Sequence, residues 1–253
     1  MNVTHVNAEL TRACNLRCTY CFNLSGSRMP NELSLDEWKR VIDIAVEMGA
    51  KSFLFTGGDP MSRPDTKEII RYALDMGVES SILANGHNLH ELGAEILGRM
   101  KRVQISLDSV SRETHDARRG RGSWQDAINA IEYVNGIGTP VELSITVSQE
   151  TLQELDGIAK LAYETGSKVL IRPLQSIGRA AGTEKTELTR TIDAKVEHLK
   201  ETYGDIFVDD FAKYVPVLGA DHDKIVAGHG VITVLPDGVL RGSNAGRLVV
   251  RDN

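Results

Sequence analysis

Apolar and polar residues alternate along most of the chain with two periods, one typical of amphipathic helices and one typical of buried strands. Residues 34–49 place apolar side chains three and four positions apart, with Ser34 at the start, Glu37 three residues later and Gly49 at the end. This pattern predicts a helix that begins with a capping box. The short apolar run at 52–56 follows it and predicts a buried strand.

The same alternation predicts six βα-type strands in the first 180 residues. Each strand is too apolar to face water on both sides, so the strands belong in a parallel sheet that helices cover. Six units are too few for the usual closed barrel of eight. The strands are predicted at 5–11, 52–56, 79–84, 102–108, 141–147 and 168–173. The helices are predicted at 34–49, 65–76, 88–100, 123–136 and 151–165.

The pattern changes after residue 180. Residues 187–203 have the periodicity of a helix, and Pro236-Asp237-Gly238 between two apolar runs predicts a hairpin over 231–241. We therefore expect an α/β domain at 1–180 and a short C-terminal helix and hairpin extension at 181–253.

Charge and composition exclude some functions. The 253 residues carry a formal net charge of −6, which gives no general electrostatic reason to expect nucleic-acid binding. No stretch approaches 18 apolar residues, and the N-terminus lacks the pattern of a signal peptide. The sequence therefore predicts a cytoplasmic protein that does not associate with a membrane.

All three cysteines of the chain lie within a few residues of one another, as Cys14, Cys18 and Cys21. Soft thiolates select zinc, copper(I) or iron–sulfur clusters. A structural zinc site normally has four protein ligands, and here His5 or His87 would have to supply the fourth. An odd number of cysteines in a chain of this length does not fit a disulfide framework. The trio could hold a cubane cluster through three irons and leave the fourth iron free.

The spacing of the cysteines, with Tyr20 directly before the last one, resembles the signature of the radical S-adenosylmethionine (SAM) superfamily. The resemblance covers residues 5–180 and implies an open, partial (β/α)6 barrel whose cluster loop follows the first strand. It implies that Cys14, Cys18 and Cys21 hold a [4Fe-4S] cluster whose open iron is chelated by SAM. An electron from the cluster would then cleave SAM to a 5′-deoxyadenosyl radical. Tyr20 would help to position adenine through its backbone.

The run Gly57-Gly58-Asp59-Pro60 after the second strand resembles the Gly-Gly-Glu-Pro motif of this family, with aspartate in place of glutamate. Two glycines let a backbone approach a ligand closely, and the carboxylate of Asp59 can face the amino group of SAM. A tight turn would explain Gly57, Gly58 and Asp59 equally well. Asn85, in an Asn-Gly pair after the third strand, lies near the cofactor if the resemblance holds, although Asn-Gly is also an ordinary turn.

Ser106 belongs to a Ser-Leu-Asp-Ser run that resembles the Ser-Leu-Asp-Gly element of the peptide-modifying branch. There Ser106 would approach the ribose or carboxylate of SAM, and Asp108 would organise the wall or reach substrate. Arg119, in the polar loop that follows, matches an arginine that can clamp the SAM carboxylate. A solvated basic loop is the alternative. Arg118 and Arg121 could instead face an anionic substrate.

Ser148 and Leu174 complete the expected cofactor site, after the fifth and sixth strands. The hydroxyl of Ser148 could reach the ribose, or it could cap the helix that begins near Thr151. Leu174 would flank adenine, with a hydrophobic barrel rim as the plain alternative. Arg172, on the sixth strand, either pairs inside the barrel or contacts a ligand.

Many members of the peptide-modifying branch, the SPASM/twitch type, follow a hairpin of this kind with cysteines that bind auxiliary clusters. Ser243 or Asn244 occupies the corresponding place here. We therefore expect a degenerate twitch-like hairpin and a single cluster. That expectation favours rearrangement, elimination, decarboxylation or epimerisation over chemistry that needs a second cluster.

The sequence thus predicts an enzyme that cleaves SAM reductively and abstracts hydrogen from carbon of a small-molecule or peptide substrate in a biosynthetic pathway. An external electron donor, similar to flavodoxin or ferredoxin, would supply the electron. The rival hypothesis is a non-catalytic, degenerate radical SAM protein that recognises a partner in a biosynthetic complex. The cysteine-free C-terminal part favours the rival, whereas the intact cysteine trio opposes it.

Overall fold

A largely parallel β-sheet lies at the centre of the computed structural model, which describes residues 3–182, 188–208 and 230–241. The strands are β1 His5–Glu9, β2 Ser52–Thr56, β3 Glu79–Ala84, β4 Arg102–Ser106, β5 Val141–Val147, β6 Lys168–Pro173, β7 Val231–Val234 and β8 Leu240–Arg241. The helices are α1 Leu35–Glu47, α2 Thr66–Asp75, α3 Gly93–Leu97, α4 Arg112–Arg119, α5 Ser123–Ile137, α6 Glu154–Thr165 and α7 Leu188–Tyr203.

The strands are arranged in the order β6-β5-β4-β3-β2-β1-β7-β8, and every neighbouring pair except β7 and β8 is parallel. The seven parallel strands form a curled half-barrel with helices packed against it. The predicted fold class is therefore confirmed. No helix in the described part of the chain is long and apolar enough to cross a bilayer.

The six predicted strands and the capped first helix are all present. The Ser34 hydroxyl accepts a hydrogen bond from the Glu37 backbone, and the Glu37 carboxylate accepts one from the Ser34 backbone. The prediction of one helix at 88–100 was wrong in detail. This segment forms a 3₁₀ turn at Leu89–Leu92, and the short α3 follows it. Gly93, the first residue of α3, has φ of 79°, and this left-handed conformation interrupts a continuous α-helix between the two.

A further correction concerns the polar segment around Arg119, which we expected to be a loop. It contains α4, whose sequence has no apolar residue larger than alanine and therefore lacks the period that marks a helix. The helix is instead started by Ser111, whose hydroxyl accepts from the Thr114 backbone, and it buries His115 and Arg119. A helix that buries polar side chains cannot be recognised from hydrophobicity.

The C-terminal hairpin is confirmed, and it belongs to the same sheet as the rest. Its first strand, β7, pairs in parallel with β1, in the register Asn7↔Thr233. The backbone N–H of Leu33 donates to the Pro236 carbonyl at 2.7 Å, which fixes the turn of the hairpin against the segment before α1. Positions 243 and 244, where an auxiliary ligand was considered, lie outside the described residues.

The two faces of the sheet differ in polarity, and this difference positions the functional site. The face that packs against the helices is apolar, with Phe53, Phe55 and Trp38 of α1 fully buried. The alternating residues of the strands face the hollow of the half-barrel, and most of them are polar. The polar ones are Asn7, Glu9, Thr56, Ser106, Ser144, Thr146, Arg172 and Thr233. Buried polar side chains require partners, so this inner face must be organised by hydrogen bonds or by a ligand.

Candidate active site

A cavity of about 200 Å³ lies at the carboxyl ends of the parallel strands. Ligand sites of open α/β sheets form at this end, because the loops that follow the strands converge there. The cavity wall contains nearly all of the site residues predicted from sequence. These are Cys14, Cys18, Tyr20, Cys21, Gly57, Gly58, Asp59, Asn85, Ser106, Arg119 and Leu174.

Ser148 is the one predicted site residue that does not line the cavity. Its backbone N–H donates to the Thr151 hydroxyl at 2.9 Å, and the two side-chain oxygens are 3.3 Å apart. Arg118 donates to the Ser148 hydroxyl at 3.5 Å. These contacts agree with a local role for Ser148 in the turn before α6. Capping near Thr151 was the alternative that the sequence left open for this residue.

The three thiols belong to the loop after β1, and each is partly exposed toward the cavity. The loop closes on itself where the Cys14 backbone N–H donates to the Gly26 carbonyl at 3.0 Å. Burial raises the pKa of the Cys14 thiol to about 11, and it also raises the pKa of Cys18. Thiols in such surroundings ionise when a bound metal supplies positive charge, so they suit metal ligation better than nucleophilic catalysis.

The segment after β6 holds the cysteine loop in place from the opposite side. Arg179 donates from Nε to the Cys18 carbonyl at 2.8 Å and from Nη2 to the Ser25 carbonyl at 2.9 Å. The Arg179 backbone N–H donates to the Cys21 carbonyl at 3.0 Å. A side chain at Gly178 would collide with the Cys21 and Phe22 carbonyls, and φ there is 62°. These contacts use backbone carbonyls alone and leave the sulfur atoms free.

Gly57 and Gly58 allow two backbones to lie against each other. A Cβ atom at Gly57 would collide with the Thr11 carbonyl, and one at Gly58 would collide with the carbonyls of Arg12 and Ala13. Gly58 and Asp59 also donate backbone hydrogen bonds to Thr11 at 2.6 Å and to Ala13 at 2.8 Å. The glycines therefore face the cysteine loop, whereas the sequence argument assigned their freedom to ligand approach.

The carboxylate of Asp59 connects the ends of β2 and β3. It accepts from the Met61 backbone N–H at 2.9 Å and from the Asn85 backbone N–H at 2.8 Å. Burial raises the pKa of Asp59 to about 6 against these hydrogen bonds. The side chain of Asn85 donates to the Asn15 side chain at 2.7 Å, so it also contacts the cysteine loop. A buried carboxylate at a raised pKa is stabilised by a nearby cation, as the amino group of SAM would be.

Asp108 is fully buried and is the centre of the opposite wall. It accepts from Arg119 Nε at 2.8 Å, from Arg119 Nη2 at 3.0 Å, from the Thr146 backbone at 3.0 Å and from the Tyr20 hydroxyl. The guanidinium of Arg118 lies 4.7 Å from the centre of the Tyr20 ring. Asp108 thus organises the wall, one of the two roles expected for it.

The charges in this wall stabilise each other. Burial alone would raise the pKa of Asp108, but the positive charge of Arg119 and the hydrogen bonds hold it below its ordinary value. Burial alone would lower the pKa of Arg119, but the negative charge of Asp108 raises it above its ordinary value. The pKa of Tyr20 is raised well above its ordinary value, mainly by burial. Arg119 is therefore a permanently charged group with Nε and Nη2 bound to Asp108.

Comparison with known proteins agrees with this arrangement of a cysteine loop over the ends of parallel strands. The sequence profile of the Radical SAM superfamily matches residues 8–162. The chain belongs to the radical SAM superfamily. Enzymes of this superfamily use a [4Fe-4S] cluster and SAM.

The curated proteins that the chain is similar to include a maturase and a synthase. Mycofactocin maturase MftC of Mycolicibacterium smegmatis is 36% identical over 176 residues, which are 68% of this chain and 45% of that protein. The AdoMet-dependent heme synthase of Methanosarcina barkeri is 36% identical over 163 residues, which are 63% of this chain and 47% of that protein. The chain therefore spans about half the length of the curated relatives it matches.

Solved structures show the same fold. Streptococcus suis SuiB bound to SAM has a TM-score of 0.77 at 16% identity, and the match covers 94% of this chain and 60% of that chain. SuiB bound to its precursor peptide SuiA has a TM-score of 0.78 at 15% identity, covering 98% and 62%. At these identities the likeness establishes the radical SAM half-barrel.

Sequence reasoning assigned no role to several residues of the radical SAM cavity. Arg179 is one of them, and the glycine before it, Gly178, is the signal in the sequence for a close backbone approach. Glu9 and Asn7 also line the cavity. Together with His5 they place a polar residue at every second position of β1. This period of two indicates a polar inner face of the strand and could have identified them from the sequence.

Replacing Asp108 by alanine tests the wall. The substitution leaves the guanidinium of Arg119 buried without its carboxylate, so the free energy of unfolding should fall by about 3–5 kcal/mol. Urea denaturation of the cluster-free protein, followed by circular dichroism, measures the change. The control is Asp156→Ala, which removes a partly exposed ion pair with Lys195 and should cost no more than about 1 kcal/mol. Equal effects of the two substitutions would contradict the role of Asp108.

Replacing Gly58 by alanine tests the close packing beneath the cysteine loop. The new Cβ must displace the backbone at Arg12 and Ala13, so the stability should fall by about 1–3 kcal/mol. Iron and sulfide bound after anaerobic reconstitution should fall with it, because the displaced segment directly precedes Cys14. Gly136→Ala is the control, since this exposed helical glycine has no atom near its Cβ position and the change should stabilise slightly. Full iron content in the Gly58 variant would disprove the packing argument.

Proposed function

We propose that Cys14, Cys18 and Cys21 hold a [4Fe-4S] cluster at the mouth of the cavity and that SAM binds in the cavity beside it. The observation that supports this most strongly is that the three thiols and the ends of the strands line one cavity. The nearby bonds to Arg179 and Gly26 involve only the loop backbone. The Leu16 backbone N–H lies 3.4 Å from the Cys14 sulfur and can stabilise a thiolate there.

The residues around the thiols fit the remaining polar groups of SAM. The buried carboxylate of Asp59 can accept hydrogen bonds from the amino group of SAM. Arg119 can donate from Nη1 to the SAM carboxylate, since its bonds to Asp108 use Nε and Nη2. Ser106 offers a hydroxyl to the ribose or carboxylate, and Leu174 offers an apolar surface to adenine. Tyr20 positions the cluster loop through its hydroxyl bond to Asp108 and assists adenine through its backbone.

When bound, the cluster and SAM supply a 5′-deoxyadenosyl radical that abstracts hydrogen from substrate carbon. The protein contributes position and shelter, because it orients the cofactor and keeps water from a reactive species. We propose a biosynthetic reaction on a small molecule or a peptide, in the cytoplasm, with an external flavodoxin- or ferredoxin-like electron donor. Rearrangement, elimination, decarboxylation and epimerisation are the favoured classes, because the one proposed cluster is sufficient for them.

Two features support a biosynthetic role. The relatives named above are a maturase and a synthase, and the inner face of the half-barrel carries polar side chains beyond those assigned to SAM. A non-catalytic partner protein would have no use for three thiols that line one cavity.

Anaerobic reconstitution followed by a 5′-deoxyadenosine assay with dithionite tests the proposal. Wild-type protein should bind iron and sulfide in the ratio of a cubane cluster and form 5′-deoxyadenosine. Cys18→Ala should reduce product to background, because three thiolates are needed to hold the cluster. Thr19→Ala is the matched control, as its side chain is exposed and only its backbone N–H contacts Arg118. Product formation by Cys18→Ala, or none by well-folded wild type, would refute the proposal.

A further inference from the structure

Arg172 lies on the inner face of the half-barrel with neutral partners only. It donates from Nε to the Ser144 hydroxyl at 2.9 Å and from Nη2 to the Gln104 side-chain oxygen at 3.1 Å. Among the residues that the structure describes, no carboxylate lies within the 4.0 Å of an ion pair with it. Arg172 also lines the cavity.

The neighbours of Arg172 bring no described carboxylate into direct contact with it. Gln104 donates from Nε2 to Glu142 at 2.8 Å, and its amide oxygen accepts from Arg172. Glu142 is paired with Arg102, at 3.3 Å, and its negative charge attracts Arg172 from beyond ion-pair distance. The amide of Gln104 therefore links the guanidinium to Glu142 without an ion pair.

The arginines that are buried in the described part of the chain are compensated. Arg119 has a bidentate bond to Asp108, and Arg63 is bound to Asp65 at 2.6 Å. A guanidinium shielded from bulk water without a counter-ion is costly, and such groups concentrate where a ligand completes them. Burial lowers the pKa of Arg172 to about 10, so the group is still charged at neutral pH.

The position of Arg172 separates it from the Asp59 side of the cavity. In the register of the sheet Arg172 lies beside Thr146, and its partner Ser144 lies beside Ser106. Strand β6, which carries Arg172, is four strands away from β2, which Asp59 follows. Neighbouring strands are about 4.8 Å apart, so a group bound at Arg172 lies on the other side of the half-barrel from Asp59.

We propose that Arg172 binds a carboxylate of the substrate and so holds the substrate in the hollow of the half-barrel, on the side away from Asp59. This inference rests on the proposed function, since it names the substrate class of the same site. A carboxylate fits better than a phosphate, because one guanidinium matches one negative charge. The carboxylate of Glu9, which also lines the cavity and accepts from Asn23 at 3.1 Å, would repel a second charge.

Two matched pairs of probes test the inference on anaerobically reconstituted protein saturated with SAM. N-acetylglycine, with N-acetylglycinamide as its neutral analogue, represents the carboxyl terminus of a peptide. Propionate, with propionamide, represents a carboxylated side chain. Titration calorimetry should show that wild-type protein binds at least one acid about tenfold or more tighter than its amide, as expected for a charge-assisted fork.

Arg172→Gln should abolish this preference for the acid and leave SAM affinity and substrate-free 5′-deoxyadenosine formation unchanged. Arg172→Lys, which keeps the charge but not the fork, should retain part of the preference. Arg121→Gln removes an exposed arginine outside the cavity lining and should keep all of it. Whichever acid is preferred identifies the source of the carboxylate.

Three results would overturn the inference. They are equal binding of acid and amide by wild type, an undiminished preference in a folded Arg172→Gln protein, and weakened SAM binding in that variant to the same degree as acid binding. The failure of the proposed function has a different signature, because wild-type protein would then form no 5′-deoxyadenosine. Acid binding can be measured in either case.

Discussion

One buried carboxylate, that of Asp108, joins the elements that surround the cavity. It follows β4 and is bound by Arg119 of α4, by the backbone of Thr146 in β5 and by Tyr20 of the cysteine loop. An ionised carboxylate that is shielded from water must accept hydrogen bonds from protein groups, so these segments come together whenever the chain is folded. The position of the cysteines relative to the sheet therefore depends on a group that need not contact any cofactor.

The cysteine loop is held from two further sides by contacts of a different kind. Below it, Gly58 lets the backbone after β2 lie directly against Ala13, and beside it Arg179 donates to backbone carbonyls of the loop. All of these bonds are made by the loop backbone or by Tyr20. A loop fixed in this way can present its three sulfur atoms to a metal cluster without a thiol serving the fold itself.

The sequence was sufficient for the six βα strands, the cysteine site and most of the cavity lining, because these depend on local period and on motif spacing. It was insufficient where a residue acts through a distant partner. The helix that carries Arg119 buries polar groups and has no apolar stripe, and the pairing of β7 with β1 joins residues more than 220 positions apart. The sequence indicated that Gly57 and Gly58 allow a close approach. Only the folded structure shows that they approach the backbone before Cys14.

Arg119 and Arg172, two arginines of the cavity wall, differ in their acidic neighbours, and the proposed separation of cofactor from substrate depends on this difference. The carboxylate of Asp108 is bound by Arg119 at 2.8 Å and lies 3.6 Å from Arg118. Arg172 donates to the neutral side chains of Ser144 and Gln104, and Glu142 attracts it only from beyond ion-pair distance. A ligand carboxylate at Arg172 would therefore meet a guanidinium that no described carboxylate contacts, and the attraction between such charges strengthens away from water. With SAM bound at the cluster loop, as proposed, the charge of Arg172 is left for the molecule on which the radical acts.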